Sequence, residues 1–254
     1  MAISSEPPKE GMLVAHGSIK DPRMTEEHLV NWYNEHGPDV VGCKGLNGCM
    51  YHYLNTDASI SPNQDLGPNY AARIASPETS IDDIAAANWP SLAIVKVADM
   101  NWLFSQEFAD IPRESKELPR NEDGSMGSAF TVLHHGLRTY EIVGRQVIVK
   151  ANGTGEQPSD LLMIQIADTD DATFEELESV VRSNVPTLYD SVRLRLMDGL
   201  LPYQEPGKLP QGLALFRFSG GVAAPKSLVS NIKGVVKVDT WRYRKGWNDA
   251  KYNL

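Results

Sequence analysis

All six histidines of this 254-residue chain fall within its first 135 residues: His16, His28, His36, His52, His134 and His135. Imidazole gains or loses a proton near neutral pH, so histidines gathered in one half favour general acid/base chemistry. His36 is the best candidate. The run Trp32-Tyr33-Asn34-Glu35-His36-Gly37-Pro38 predicts a helix that ends at Gly-Pro, with the imidazole on its last turn at the mouth of a pocket. The alternative is an exposed histidine that only complements the helix dipole.

Three histidines on predicted strands could act together with His36. His16 shares a strand face with Met12 and Val14, and His134 lies on the fourth predicted strand. If His16, His134 and His36 converge, with His52 as a further partner, an acid and a base would flank a substrate carbonyl or hydroxyl. His28 and His135 are expected to be exposed or satisfied within the core.

Aromatic and arginine side chains are the candidates for substrate binding. Tyr51, Trp102 and Tyr140 could line a pocket for an aromatic molecule, although aromatic residues on strands more often belong to the core. Arg195 or Arg217 could hold a carboxylate or an enolate oxygen if its side chain points into the fold. The plainer alternative places both arginines on the solvent side.

The sequence predicts neither a metal nor a cofactor. His134 and His135 are neighbours and must point to opposite faces of a strand, and no His-x-His or His-x-x-x-His pair occurs. Cys43 and Cys49 have no second cysteine pair for a zinc site. A haem held by one axial histidine is a minor alternative. The chain lacks a Gly-x-Ser-x-Gly elbow, a phosphate-binding loop and a dinucleotide fingerprint, which argues against a hydrolase, a kinase or a dehydrogenase.

Composition narrows the range of partners. The net charge is −9 and the estimated pI about 5.2, so no basic footprint suggests nucleic acid or an anionic membrane. No apolar run approaches the roughly 20 residues of a membrane span. Two cysteines are too few for a disulfide framework, so a cytoplasmic location is expected. The expected partner is a small, hydrophobic, oxygenated molecule.

The elements that must position these residues recur in one order. Strand-helix-strand-strand-helix-strand is predicted over residues 10–144 and again over 160–247, joined by a linker at 145–159. The first copy carries a long insertion at about 56–91 between its second and third strands. Each copy has the order of a ferredoxin-like unit. Since a single such sheet leaves one face bare, we expect an α+β fold in which two sheets pack face to face as an intrachain α/β barrel.

The first copy resembles the EthD-like family of the dimeric α/β-barrel superfamily, in a fused, tandem-repeat form of the fungal secondary-metabolism type. The resemblance rests on Gly11-Met12-Leu13-Val14, on the run that ends at His36-Gly37-Pro38, and on the segment 93–108 with Trp102 and Phe108. It covers about residues 11–110. The second copy is similar only in element order, and its helix end at Pro186 has no histidine.

The resemblance implies a class of substrate rather than one reaction, because the superfamily includes cofactor-free oxygenases, decarboxylases, dehydratases and cyclases. The predicted function is therefore that of a cofactor-independent acid/base enzyme, a lyase or cyclase acting on a polyketide-like or aromatic metabolite. A cofactor-free oxygenase and a non-catalytic binding protein are the alternatives. A homodimer is compatible with the resemblance, although two repeats fused in one chain make an obligate dimer less necessary.

Overall fold

The fold is a closed barrel of eight antiparallel strands with helices on its outside. The computed structural model describes residues 8–56, 89–148, 158–197, 209–219 and 226–248. Around the barrel the strands follow the order β1-β3-β2-β10-β7-β9-β8-β6, and every neighbouring pair is antiparallel. The predicted α+β barrel is thus confirmed.

The barrel strands are β1 (Gly11–Ile19), β2 (Cys49–Asn55), β3 (Ser91–Val97), β6 (Leu133–Val147), β7 (Asp160–Ile166), β8 (Leu188–Leu196), β9 (Gly212–Phe218) and β10 (Val235–Trp247). The helices are α1 (Glu26–Gly42), α2 (Gln106–Ala109), α3 (Ala129–Val132), α4 (Asp171–Asn184) and α5 (Lys226–Val229), and a 3₁₀ turn spans Met100–Phe104. A two-stranded ribbon, β4 (Glu114–Ser115) and β5 (Gly127–Ser128), lies between α2 and α3.

Side-chain alternation along the strands divides the apolar residues between the inside and the outside of the barrel. On β1, Met12 and Val14 belong to an interior core to which all eight barrel strands contribute. Leu13 and Ala15 belong instead to a layer between the outer face and α1. A third core lies where α4 covers the outer face of β7 and β9. The described residues therefore form one enclosed core and two outer ones.

Helix α1 begins as predicted and ends later than predicted. Thr25 caps its N-terminus in a capping box with His28, whose Nδ1 accepts a hydrogen bond from the Thr25 backbone N–H. The helix does not end at Gly37-Pro38, because it continues for another turn to Gly42 with Pro38 inside it. A proline there removes one backbone hydrogen bond. Burial of Val40 against the outer face of the sheet compensates for that loss.

Several other boundaries differ from the expectations. Residues 129–132 form α3 rather than the start of the fourth strand, and β6 extends to Val147, so residues 145–147 belong to a strand and not to a linker. Helix α4 is capped by Asp170, whose carboxylate accepts from the Ala172 N–H. Residues 57–88, which hold most of the expected insertion and a helix expected over 81–87, lie outside the described residues.

Candidate functional site

A pocket lies outside the barrel, between α1 and the outer face of β6, β1, β3 and β2. Its floor is formed by small and aliphatic side chains of the sheet, including Ala15 and Ala93. The space open to the centres of water-sized molecules is about 80 Å³, whereas one water needs about 10–15 Å³. The pocket therefore has room for a small molecule. Phe130 on α3 is 44% exposed and lies at the pocket wall, which places the mouth beside it.

His36 projects from α1 into the wall of this pocket. Its Nδ1 lies 3.2 Å from the carbonyl oxygen of Pro112. A carbonyl can only accept, so Nδ1–H is the donor and Nε2 keeps its lone pair. Burial, and next the nearby charge of Arg113, lower the pKa of His36 to about 4. The imidazole is therefore a neutral base at physiological pH.

His135 and Arg113 complete the polar part of the pocket wall. His135 Nε2 donates to the carbonyl of Ala129 at 3.0 Å, and burial lowers its pKa below the usual value. The Arg113 guanidinium donates to the carbonyls of Ile111 and Phe108 and lies 5.4 Å from the centre of the Phe108 ring. One cation and two neutral imidazoles thus face a pocket that is otherwise almost entirely apolar.

Stacked rings hold His36 in place and continue behind the pocket. The His36 ring lies on Trp32 with centroids 4.7 Å apart, Trp32 lies 4.7 Å from Tyr33, and Tyr33 stacks on His52 at 4.1 Å. His52 Nε2 and the Tyr33 hydroxyl both hydrogen-bond Ser91. His52 is buried and its pKa falls to about 3, because burial disfavours the charged form. It supports the pocket wall from behind.

A carboxylate fastens the far wall of the pocket. Glu107 accepts from the indole N–H of Trp102 at 2.9 Å and from the backbone N–H groups of Lys44 and Gly45 at 2.6 and 2.8 Å. These bonds join the segment after α1 to the segment that carries Trp102 and Phe108. Trp102 packs edge-on against Phe108, with ring centroids 5.1 Å apart. The wall is therefore preorganised rather than formed by loose side chains.

The residues proposed from the sequence divide between three places. His36 and Trp102 line the pocket, and His52 lies directly behind it. The inner face of the barrel carries His16, His134, Tyr51, Tyr140 and Arg217. Arg195 is exposed on the outside of β8. His16, His134 and His36 therefore do not converge, because alternation along β1 and β6 sends the first two to the face opposite α1.

Sequence reasoning did not single out three of the groups that the structure brings to the pocket. His135 was expected to be exposed or in the core, whereas it faces the pocket beside Leu137. Arg113 and Phe130 received no role because both lie in short elements whose path no periodicity predicts. The only available signal was the strand alternation that separates His134 from His135, and it did not say which face α1 covers.

The inner arginine, Arg217, has a structural partner. Its guanidinium Nε donates to Asp190 Oδ1 at 2.9 Å, and a second bond joins Nη2 to Oδ2. Both side chains are buried inside the barrel, and Arg217 lies over the ring of Tyr51. This ion pair occupies the guanidinium that the sequence suggested for an anionic substrate.

No group of three or more His, Cys, Asp or Glu side chains in the described segments is placed to hold a metal ion. Within the same segments, no helix has the length and apolar character that a membrane crossing requires.

Comparison with known proteins shows a similarity of fold alone. No family model matches the sequence, and no curated protein matches it. Among solved structures, a candidate monooxygenase from Lactobacillus acidophilus is 8% identical with a TM-score of 0.46, covering 94% of this chain and 95% of its own. A candidate monooxygenase from Fusobacterium nucleatum is 9% identical at 0.45, covering 95% of each chain. A mutant chlorite dismutase from Candidatus Nitrospira defluvii is 10% identical at 0.45, covering 93% and 92%. Likenesses at this level assign no activity to the chain.

Proposed function

We propose that this protein is an enzyme that moves a proton on a small, apolar, oxygenated molecule bound between α1 and the outer face of the barrel. The observation that carries the proposal is the placement of two neutral imidazoles and one guanidinium in the wall of an apolar pocket. A purely structural cleft has no need of such groups, and shifted pKa values gathered in one pocket are typical of active sites.

In the proposed reaction His36 is the general base. Its Nε2 lone pair takes a proton from carbon or oxygen next to a substrate carbonyl, while the Pro112 carbonyl holds the opposite side of the ring. The charge of Arg113 stabilises the enolate or phenolate oxygen that forms. His135 is a second base on the same wall and can receive or return the proton. This chemistry is shared by dehydration, decarboxylation and cyclisation.

The pocket also bears on the class of substrate. Aromatic walls from Trp32, Trp102, Phe108 and Phe130 favour a flat, apolar molecule. The available space favours a single ring over a large polycyclic compound. A polyketide-like metabolite of secondary metabolism is the more specific proposal, and it rests on the resemblance of residues 11–110 to the EthD-like family.

The recurring order of strands and helices in the sequence underlies the proposal that the chain consists of two ferredoxin-like repeats, at 10–144 and 160–247. The strand orders β6-β1-β3-β2 and β10-β7-β9-β8 support it, since each reads fourth-first-third-second within its half of the chain. A homodimer remains part of the proposal. In this arrangement a single chain already closes the barrel.

Proton exchange on a simple ketone tests the function. In D₂O the enzyme should replace the methyl protons of acetophenone with deuterium, and proton NMR records the loss of the methyl signal. His36→Gln should slow this exchange about 10²-fold or more. The matched control is His28→Gln, which changes a histidine outside the pocket and keeps a side chain suited to the capping box. Equal exchange rates for His36→Gln and the unaltered protein would end the assignment of His36.

Two alternatives give different results in the same cavity. A cofactor-free oxygenase would consume dissolved oxygen with a phenolic substrate, which an oxygen electrode records. If the protein only binds its ligand, small phenols should quench the fluorescence of Trp32 and Trp102, but no proton exchange should occur. His36→Gln should then bind the phenols as well as the unaltered protein does. Exchange without oxygen uptake separates the proposed enzyme from both.

A further inference from the structure

The inside of the barrel carries buried polar atoms that the outer pocket does not use. They lie where the C-terminal half of β1 faces β10. His16, Ser18 and Trp241 are each at most 2% exposed. Within the described part of the chain, His16 Nδ1, Ser18 Oγ and Trp241 Nε1 have no hydrogen-bond partner. Buried polar atoms in native proteins are almost always paired, so three such atoms on one inner surface indicate something polar among them.

The three atoms have defined hydrogen-bonding roles. Gly136 on the neighbouring strand contributes a backbone hydrogen bond to the His16 imidazole, and Nδ1 is the ring nitrogen without a partner. In the tautomer that carries its proton on Nε2, Nδ1 is an acceptor. The indole N–H of Trp241 can only donate, and its ring centroid lies 6.1 Å from that of His16. A hydroxyl group can donate to the first atom and accept from the second. Ser18 can take either role.

Positive charge lies next to this polar set. Arg138, 1% exposed, donates to Gln165 Oε1 at 2.9 Å across the barrel, and Lys237 lies 3.4 Å from a carboxylate oxygen of Asp239. Burial, and next the charges of Arg138 and Lys237, lower the pKa of His16 well below its usual value, so its imidazole is neutral. The potential at this end of the interior therefore favours an anion.

Aromatic surface completes the surroundings. The ring centroid of Trp89 lies 5.7 Å from that of His16, and both Trp89 and Trp241 belong to the interior core. A flat or aliphatic group between these rings would lose water without losing hydrogen bonds. The interior thus offers a hydroxyl partner, an anion partner and an apolar wall close together.

We propose that this end of the barrel interior is a second binding site, for a small organic acid that also carries a hydroxyl group. The hydroxyl accepts from Trp241 Nε1–H and from the Ser18 hydroxyl and donates to His16 Nδ1, and the carboxylate faces the positive charges of Arg138 and Lys237. The site is separated from the outer pocket by the thickness of the sheet. It does not depend on the reaction proposed for His36.

A matched pair of acids tests the site. Mandelate is an aromatic acid with a hydroxyl beside its carboxylate, and phenylacetate is the same acid without the hydroxyl. Isothermal titration of the full-length protein should give a dissociation constant for mandelate about tenfold or more lower than for phenylacetate, because phenylacetate leaves the buried His16 acceptor unpaired. The Nδ1 resonance of His16, followed by ¹⁵N NMR, should shift with mandelate alone.

Variants locate the binding and separate it from the outer pocket. Trp241→Phe and Ser18→Ala should each weaken the binding of mandelate while leaving the affinity for phenylacetate unchanged. His36→Gln should change neither affinity. If Trp241→Phe does not fold, the affinity of Ser18→Ala for mandelate and the His16 resonance of the unaltered protein still test the site. Equal affinity for the two acids, no saturable binding, an unmoved His16 resonance or loss of mandelate binding in His36→Gln would each overturn the proposal. The first two results would mean that only ordered water meets the buried atoms.

Discussion

His36 lies flat against Trp32, one turn earlier on the same helix, with ring centroids 4.7 Å apart and planes inclined by 12°. The contact fixes the plane of the imidazole, and the bond from Nδ1 to the Pro112 carbonyl fixes its rotation within that plane. Nε2 is then the nitrogen left for a ligand. A base held in one orientation needs no reorganisation when the substrate binds, which is the physical basis of the predictions on catalysis below.

The pH dependence of proton exchange should follow the low pKa of His36. With a pKa of about 4, the imidazole is neutral through pH 6–8, so the rate should be flat there and fall below about pH 5 as the base becomes protonated. The rate profile and an NMR titration of His36 check this together. A midpoint near 6.5 in both would contradict a desolvated base.

Replacing Arg113 should affect the charge of the site and the pKa of its base together. Arg113→Met removes a cation that lowers the pKa of both histidines, so the pKa of His36 should rise. Exchange should fall by about 10²-fold, since the oxyanion loses its stabilising charge. Arg113→Lys keeps the charge and loses the planar donor set, so it should keep the low pKa with an intermediate rate. A rate unchanged in Arg113→Met would remove the arginine from the mechanism.

Gly37 should resist substitution because of its contact with the last strand. A Cβ at this position would lie 2.4 Å from Cε2 of Trp247, inside a rigid indole ring. Gly37→Ala should therefore push α1 away from β10 and destabilise the protein by about 1–3 kcal/mol. A Cβ at Gly42, the last residue of α1, would meet no atom of the described residues within 4 Å, so Gly42→Ala should leave stability unchanged or slightly higher. Urea unfolding of the pair measures the difference, and equal losses would contradict the clash.

The buried His52 should make the protein sensitive to acid. Its folded pKa of about 3 lies below that of an unfolded histidine, near 6.5, so the unfolded chain takes up a proton that the folded chain refuses. Its contribution to stability is full above pH 6.5 and declines as pH falls, by about 2 kcal/mol between pH 7 and 5.

His52→Gln, which can still hydrogen-bond Ser91, should remove that part of the pH dependence in chemical unfolding. Tyr33→Phe is the control. It alters the same cluster but removes only a phenol whose pKa is raised to about 12, so the dependence between pH 7 and 5 should persist. An undiminished slope in His52→Gln would assign the acid sensitivity to other groups.

The ion pair of Asp190 and Arg217 should support the fold and not the reaction. Asp190→Asn leaves a buried guanidinium without its counter-charge and should cost about 3–5 kcal/mol in the free energy of unfolding. The double variant Asp190→Leu with Arg217→Met should recover most of that loss, because paired charges and apolar residues of similar size are nearly equivalent inside a protein. Proton exchange per folded molecule should stay unchanged in the double variant. A large loss of exchange would return Arg217 to the candidate binding residues.

Periodicity predicted the barrel strands well. The strand face predicted for Met12, Val14 and His16 occurs on β1, Gly11–Ile19, because alternation persists wherever a strand separates two buried layers. The end of α1 was placed wrongly because Pro38 is a strong local signal, whereas the burial of Val40 that outweighs it is a tertiary effect. The start of β6 was misplaced for a similar reason, as the short α3 has too few residues to show a period.

The site was harder to predict than the fold. His36 and Trp102 were identified because they lie on or beside well-marked helical segments, and both line the pocket. His16 and His134 were grouped with them since alternation tells which residues share a face, but not whether that face meets a helix or the barrel interior. Arg113 could not be found because its position depends on carbonyls of Phe108 and Ile111 in an irregular segment.

The alternation of β1 has a practical consequence for anyone who wishes to redesign this protein. Leu13 and Ala15 form part of the outer pocket, while Met12, Val14 and His16 belong to the interior. The strand therefore separates the outer pocket from the interior core of the barrel. Odd-numbered positions can be varied to reshape the pocket, and even-numbered positions to change the interior, so that libraries at the two sets would act on the two sides separately within one scaffold.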